Sequence, residues 1–453
     1  MVMRAFHKTM TLALALAAGA IPPQVLAADG LSEAVAADYD AKLEALFLDF
    51  HRNPELSHKE LRTAGIIARE LRAVGVDVTE GVGGTGVVGV MRNGAGPTVL
   101  VRADMDGLPI EEASGLAYAS KARQVDVEGI EQPVMHACGH DVHITSLIGT
   151  ARRLSELKDR WSGTVVFIAQ PAEERVNGAS AMLEDGLYER FPKPDYALAF
   201  HVGAPLATGR IEIQPGITAS TSDSVNITIH GVGTHGAYPH AGKDPIVIGA
   251  EIVMALQTIV SREISPLQPA VVTVGAFHAG AKHNIISDRA ELQLTVRSND
   301  NEVRDKLIAA IERIAKGVGR MNGLPDDMLP EIEIVQSTPV TINDKTVTER
   351  IEKAFTTHFG ADTIVTDSPQ TGMGAEDFGV LVTPNTDVPG VYFNVGGTPK
   401  AELDALEKAG KPEPAHHSPF FKIAPEPAVT LGTEAMTVAV FDLLAPDAGA
   451  AAD

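Results

Sequence analysis

The apolar residues of this chain change their period twice, and that change limits the fold more than any other feature. Up to about residue 219, and again after about 337, they come as short, mostly unbroken runs: Thr98 to Arg102, Thr164 to Ala169, Tyr196 to Phe200 and, later, Tyr392 to Val395. A strand that is apolar on both faces has to be covered on both. Helical patterns separate the runs. Leu43, Leu46, Phe47 and Phe50 recur at helical spacing until Asn53-Pro54 ends them. A second pattern covers Thr63 to Val74 and stops at Gly75, and a third is carried by Ile144, Leu147, Ile148, Ala151 and Leu154. Buried strands alternating with helices predict an α/β fold: a mainly parallel mixed sheet with helices on both faces.

Between about 220 and 336 the pattern is strict alternation. Val225, Ile227 and Ile229 interleave with Asn226, Thr228 and His230, and Leu292, Leu294 and Val296 with Gln293, Thr295 and Arg297. One wet and one buried face indicate an antiparallel sheet. With helices starting at Pro245 and spanning about Glu302 to Lys316, and a last strand at Ile332 and Ile334, the order is that of a ferredoxin-like α+β domain. The prediction is an inserted domain over 220–336 that splits the main domain into 29–219 and 337–445, followed by a disordered Ala/Pro/Asp tail over 446–453. A length of 453 residues also suggests two domains.

The first 28 residues read as a signal peptide: Arg4 and Lys8, a short apolar run from Thr11 to Ala20, and cleavage spacing at Val25-Leu26-Ala27. The expectation is an exported protein, periplasmic or secreted, with no membrane anchor and no later segment of membrane-spanning apolar length. The net charge of −22 repels phosphate backbones and argues against nucleic acid as a partner. The one cysteine, Cys138, cannot pair within the chain. It is either a metal ligand or a buried small hydrophobe.

Sites in open parallel sheets form beyond the carboxyl ends of the strands. Three predicted strands run into chemically useful residues: one into Asp104, one into Glu173-Glu174, and one into His201. The densest cluster is Met135-His136-Ala137-Cys138-Gly139-His140-Asp141-Val142-His143, just before a helix. Gly139 lets the backbone turn so that Cys138 and His140 can face one ion, and Asp141 is expected on the far nitrogen of a ligand imidazole. The plainer reading is a polar helix entry with solvated histidines. Of two adjacent carboxylates, Glu173 and Glu174, one can bind metal while the other takes a proton from water; taken alone, a solvated acidic pair in a loop explains them better. His416-His417-Ser418-Pro419 is a third feature, site or surface loop. Gly81, Gly83 and Gly86 have dinucleotide-loop spacing, but a strand-like run follows instead of a helix, which rejects that loop. No serine nucleophile elbow and no His-Glu-x-x-His pair is present.

Taken in order, His51-Arg52-Asn53-Pro54-Glu55-Leu56, Arg102 to Pro109, Met135 to His143, Gln170-Pro171-Ala172-Glu173-Glu174, His235-Gly236-Ala237-Tyr238-Pro239-His240, Met373-Gly374-Ala375-Glu376-Asp377-Phe378 and His417-Ser418-Pro419 form a specific combination. It resembles the amidohydrolase branch of the aminoacylase and carboxypeptidase G metallopeptidases, which includes hippurate hydrolase and the plant indole-3-acetyl-amino-acid hydrolases. The resemblance implies two divalent metal ions per subunit, held by Cys138, His140, Glu174, His201 and His417; from their positions, Asp104 and Asp141 are expected behind these ligands. It implies Glu173 as general base, His235 as a histidine that reaches substrate from a partner subunit, and Asn284 as a substrate contact. The implied reaction is hydrolysis of the amide bond of small N-acyl or N-aroyl amino acids by a homodimer joined through its inserted domain, which also serves as a lid. Ser287 stands where the family has proline, and the glycine and acidic residues expected after Glu174 and after Phe421 are missing; these departures bear on substrate preference. Thiolate and imidazole donors suit zinc, and the carboxylate admits manganese, cobalt or nickel. The same residues also suit a dipeptidase, a deacetylase of diaminopimelate derivatives, or an exported non-catalytic metal- or solute-binding protein.

Overall fold

The computed structural model describes residues 30–370 and 372–445; the expected signal peptide and the tail lie outside the described residues. Helix Leu31–Asp38 passes through a π-helical stretch, Tyr39–Leu43, into helix Glu44–Arg52, which places Leu43, Leu46, Phe47 and Phe50 in the core. Helix Leu61–Ala73 follows and ends before Gly75, whose φ is 84°. In chain order the strands of the two principal sheets are β1 (Asp77–Val82), β2 (Gly86–Asn93), β3 (Thr98–Asp104), β4 (Gly163–Gln170), β5 (Tyr196–Ala207), β6 (Ile211–Glu212), β7 (Thr221–His230), β8 (Ala270–Ala279), β9 (Arg289–Ser298), β10 (Glu331–Thr338), β11 (Ile364–Val365) and β12 (Gly390–Thr398).

The larger sheet has eight strands in the order β1-β2-β4-β3-β5-β12-β6-β11. Its centre, β4-β3-β5-β12, is parallel, and β1, β2 and the β12–β6 pair add antiparallel neighbours. Successive side chains of a strand go to opposite faces. Val99, Val101 and Ala103 of β3 join the helices of one face, while Leu100 joins Val166, Ile168, Ala197 and Ala199 on the other. Both faces are buried, as unbroken apolar runs require. Gly81 and Gly83 belong to the β1–β2 hairpin, in agreement with rejection of a cofactor loop.

The smaller sheet is antiparallel, in the order β8-β9-β7-β10. Val225, Ile227, Ile229, Leu292, Leu294 and Val296 form its buried face, under helices Pro245–Thr258 and Asn301–Met321. Each helix starts on an aspartate whose carboxylate accepts a main-chain N–H: Asp244 from Ile246, with Pro245 as the first helical residue, and Asp300 from Val303. The chain leaves the main sheet through Gly216–Ala219 and returns through Thr341–Asn343, and these two segments pair with each other. Two points differ from expectation. Strand β8 lacks a clean alternating signature because its register slips between Val274 and Ala276, around Gly275. Pro245–Glu263 is long and apolar enough to cross a membrane by length and composition, contrary to the expectation of no such segment. In this fold its Ile248, Ile252, Leu256 and Ile259 pack on the smaller sheet.

The smaller core is separate from those of the main sheet. Ile227→Ala should therefore destabilise the inserted domain by about 2–5 kcal/mol, measured by chemical denaturation, while metal content of the folded protein stays at the wild-type level.

Candidate metal centre

The parallel register brings three strand ends to one edge. Asp104 of β3 lies opposite Gln170 of β4, and His201 is carried by β5, which runs on past it to Ala207. Above that edge, the turn Cys138-Gly139-His140 opens helix His140–Glu156. Gly139 has φ 92°, and a Cβ there would lie 2.3 Å from Val202 Cγ1, so the position needs glycine for both backbone and space. After β4, Ala172 (φ 50°) and Val176 (φ 47°) bracket the 3-10 turn Glu173–Arg175, and His417 (φ 61°) enters from the last loop. Left-handed non-glycine residues cost on the order of 1–3 kcal/mol each and gather at functional sites.

Five side chains from distant segments meet in this cleft. Cys138 Sγ lies 3.3 Å from His201 Nε2. Glu174 presents one oxygen to each of two imidazoles: Oε1 is 3.8 Å from His140 Nε2, and Oε2 is 3.4 Å from His417 Nε2. The donor atoms of Cys138, Glu174 and His417 fall within 4.8 Å of one another, as do those of Asp104, His140 and Glu173. The imidazoles are aimed by their outer nitrogens. His140 Nδ1 faces the Asp106 carbonyl and His201 Nδ1 the Val202 carbonyl, both at 2.9 Å, which leaves Nε2 for the cleft. His143 is spent: Nδ1 pairs with Asp104 at 2.6 Å and Nε2 accepts the Val202 N–H at 2.9 Å.

The donor set fits divalent cations. His140 Nε2 and Glu174 Oε1 are buried without a hydrogen-bond partner and face each other. Their 3.8 Å separation is long for a hydrogen bond but close to the roughly 3.4 Å between two ligands of one tetrahedral ion. Burial, and then Glu174, Glu173 and Asp104, hold the Cys138 thiol well above its usual range. Such a thiol gives up its proton readily only to a cation beside it. Burial pushes Glu174 up to about 8, against the pull of His140 and with the repulsion of Asp106 and Asp104. Burial, with His143 and His416, keeps His201 well below the ordinary imidazole range, so its lone pair is free.

A protein-family model described as peptidase family M20/M25/M40 matches residues 100–409. The chain belongs to that family. It is 38% identical over 375 residues to thermostable carboxypeptidase 2 of Saccharolobus solfataricus, covering 82% of this chain and 88% of the relative. It is 37% identical over 345 residues to hippurate hydrolase of Campylobacter jejuni, covering 76% and 85%. Among solved structures it resembles the Bacillus subtilis YXEP protein, described as a dinuclear metal-binding peptidase of the family, with a TM-score of 0.70, 28% identity, and 91% and 99% coverage. The likeness extends over 91% of this M20 hydrolase, which is built on the main sheet and the separate four-stranded sheet.

In this M20 chain several supporting residues escaped the sequence. Asp106, not Asp141, stands behind His140. Asp141 instead bonds His51 Nδ1 at 2.7 Å, because consecutive residues at a helix start project in different directions. Hydrogen bonds from His51 to Asp141 and Glu112, overcoming burial, raise that imidazole to about 9. Asp106 also accepts the main-chain N–H of Glu173 and of Glu174, each at 3.1 Å, and so sets both carboxylates. Asp104 binds Arg102 at 2.6 Å as well as His143. The signal for Asp106 was present in Arg102-Ala103-Asp104-Met105-Asp106-Gly107, where alternation alone could not say which carboxylate meets which imidazole. His235 and Asn284 lie together in the inserted domain, where the Gly236 N–H donates to the Asn284 carbonyl at 2.8 Å. Among the described residues, no hydrogen bond, ion pair or ring contact joins either to the five.

Gly139→Ala tests how far the cleft depends on this turn. The positive φ and the Val202 contact should lower stability by more than about 1 kcal/mol and reduce bound metal, measured by thermal unfolding and by metal analysis of the purified variant.

Proposed function

We propose that this M20 hydrolase cleaves the amide bond of small N-acyl or N-aroyl amino acids, releasing a carboxylic acid and a free amino acid. The observation that carries the reading is the meeting of Cys138, His140, Glu174, His201 and His417 in one cleft, with Glu173 Oε2 3.8 Å from His140 Nε2. We assign the five as ligands of two divalent ions, with zinc, manganese, cobalt and nickel all matched to the donors. Bound ions supply Lewis acidity toward the amide carbonyl and make water a stronger acid.

The chain's own residues then handle the proton. Glu173 takes it from the attacking water as the oxygen–carbon bond forms, and delivers it to the amine nitrogen as the carbon–nitrogen bond breaks. Burial, followed by Glu376, Glu174, Asp377 and Asp104, holds Glu173 well above the usual carboxylate range, which suits a group that must keep a proton between two steps. His235 and Asn284 are assigned to substrate, His235 reaching the cleft of the partner subunit in a homodimer. Two features support this: His235 lies on a short ladder of the inserted domain whose next residue, Gly236, donates its N–H to the Asn284 carbonyl, and His235 is exposed. Export through removal of residues 1–28 completes the reading and rests on their sequence pattern alone. The hippurate hydrolase relative favours aroyl-amino-acid substrates and the carboxypeptidase relative favours peptides. Purified, metal-analysed protein assayed on hippurate, N-acetyl amino acids and dipeptides decides between them, and faster turnover of dipeptides would replace the proposal.

Two variants test the roles. Glu173→Gln should keep its metal and lose turnover by a factor of about 100 or more; a near-normal rate removes Glu173 as the base. His235→Ala should retain metal and dimer, by metal analysis and light scattering, yet lose rate. An unchanged rate sinks the assignment of His235 to substrate.

A further inference from the structure

His416, like His143, is an imidazole at the cleft that the ligand set leaves out. Its Nε2 accepts the Ala204 N–H at 3.1 Å. A nitrogen that accepts a hydrogen bond carries no proton, so the one proton of this ring is on Nδ1. Nδ1 lies 3.9 Å from Cys138 Sγ, with the Cys138 main chain beside it as a competing partner. The same contact removes His416 from the ligands, although its atoms fall within 4.8 Å of Cys138 and His201: Nδ1 cannot hold a proton and bind an ion together. The ring is also fixed by its neighbours, with centroids 5.0 Å from His201 and 5.1 Å from Phe421. Phe421 belongs to a small apolar cluster with Met135, Ala137 and Ala204, directly around the Cys138 turn.

We propose that His416 is a positioning residue that donates an N–H···S hydrogen bond to Cys138, holding the sulfur in place and damping its reactivity toward electrophiles. The proposal rests on Cys138 being a metal ligand. A thiolate in a buried site keeps lone pairs beyond those used for an ion, and these carry its nucleophilicity. A donor aimed at them draws off electron density, and a hydrogen bond to a charged acceptor is stronger than a neutral one. Peptide N–H groups do this for sulfur in many metal sites; here a side chain locked by the Ala204 N–H takes the part. Cys138 is the chain's single cysteine, so alkylation reports on one atom without interference.

The test uses the full-length protein loaded with cobalt, and three variants. His416→Leu removes the donor at similar volume. His416→Asn keeps an N–H near the Nδ1 position, and His416→Gln moves it to the Nε2 position. In His416→Leu and His416→Gln, iodoacetamide should modify Cys138 about two- to ten-fold faster, the range one hydrogen bond spans, by mass spectrometry. The sulfur-to-cobalt absorption band should move to lower energy in both. His416→Asn should restore the wild-type rate and band. If His416→Leu fails to fold, the Asn and Gln pair still separates the two donor positions. An unmoved band and unchanged alkylation in the Leu or Gln variant overturn the proposal and place the Nδ1–H on the Cys138 main chain. Absence of any sulfur-to-cobalt band in the wild type is a different failure: it removes Cys138 from the ligands, and the role of His416 with it.

Discussion

A single buried guanidinium underlies the site. Arg102 reaches Asp104 at 2.6 Å, Glu376 at 2.6 Å and Asp377 at 3.0 Å, and its Nε donates to Gln170 at 2.9 Å. All of these groups are buried. Three carboxylates in so small a volume repel one another strongly in a low-dielectric interior, and one cation between them turns that repulsion into cohesion. Removing one partner from such a set costs about 3–5 kcal/mol, because the charges left behind stay buried. Each carboxylate then holds something else. Asp104 fixes His143, which accepts the Val202 N–H next to His201. Asp377 takes the Ala179 N–H and the Gln170 amide. Glu376 accepts from the Tyr392 hydroxyl on β12 at 2.7 Å. Strands β3, β4, β5 and β12 are thereby tied together at the edge where the chemistry sits.

The second fixed point is Asp106. Its two oxygens take the N–H groups of Glu173 and Glu174, and the Ser57 hydroxyl donates to it at 2.6 Å. Two consecutive carboxylates are held in a short, left-handed-flanked turn; both reach His140, while Glu174 also faces His417 and Glu173 faces the carboxylate-lined wall. A loop free to relax would let both turn to solvent. The strain at Ala172 and Val176 is sustained because the surrounding hydrogen bonds over-determine the turn.

Much of this was legible in the amino-acid order. Unbroken apolar runs gave the two-sided main sheet, and alternation gave the one-sided inserted sheet, because burial on one or two faces writes directly into side-chain period. Strand β8 was obscured where Gly275 breaks the period, and the reach of β5 beyond His201 was not signalled because Gly203 and Ala204 resemble a turn. In the site, clustering and strand ends pointed to Cys138, His140, Glu173, Glu174 and His201, and the family resemblance was needed to single out His417 from the His416-His417 pair and to give each residue its role. The sequence pointed to Asp141 where the structure puts Asp106 behind His140, and it did not tell that His143 and His416 have main-chain N–H partners that occupy a ring nitrogen.

The sequence by itself determined most of the strands and helices, how many faces they bury, and which residue types are available at the strand ends, since all three follow from local composition and period. The tertiary structure alone decided which nitrogen of each histidine faces the cleft and which carboxylate stands behind it. Those choices depend on main-chain groups from remote segments, such as the carbonyl of Asp106 and the N–H groups of Val202 and Ala204. Every residue carries the same main-chain groups, so nothing in the order of side chains announces where one of them will meet an imidazole.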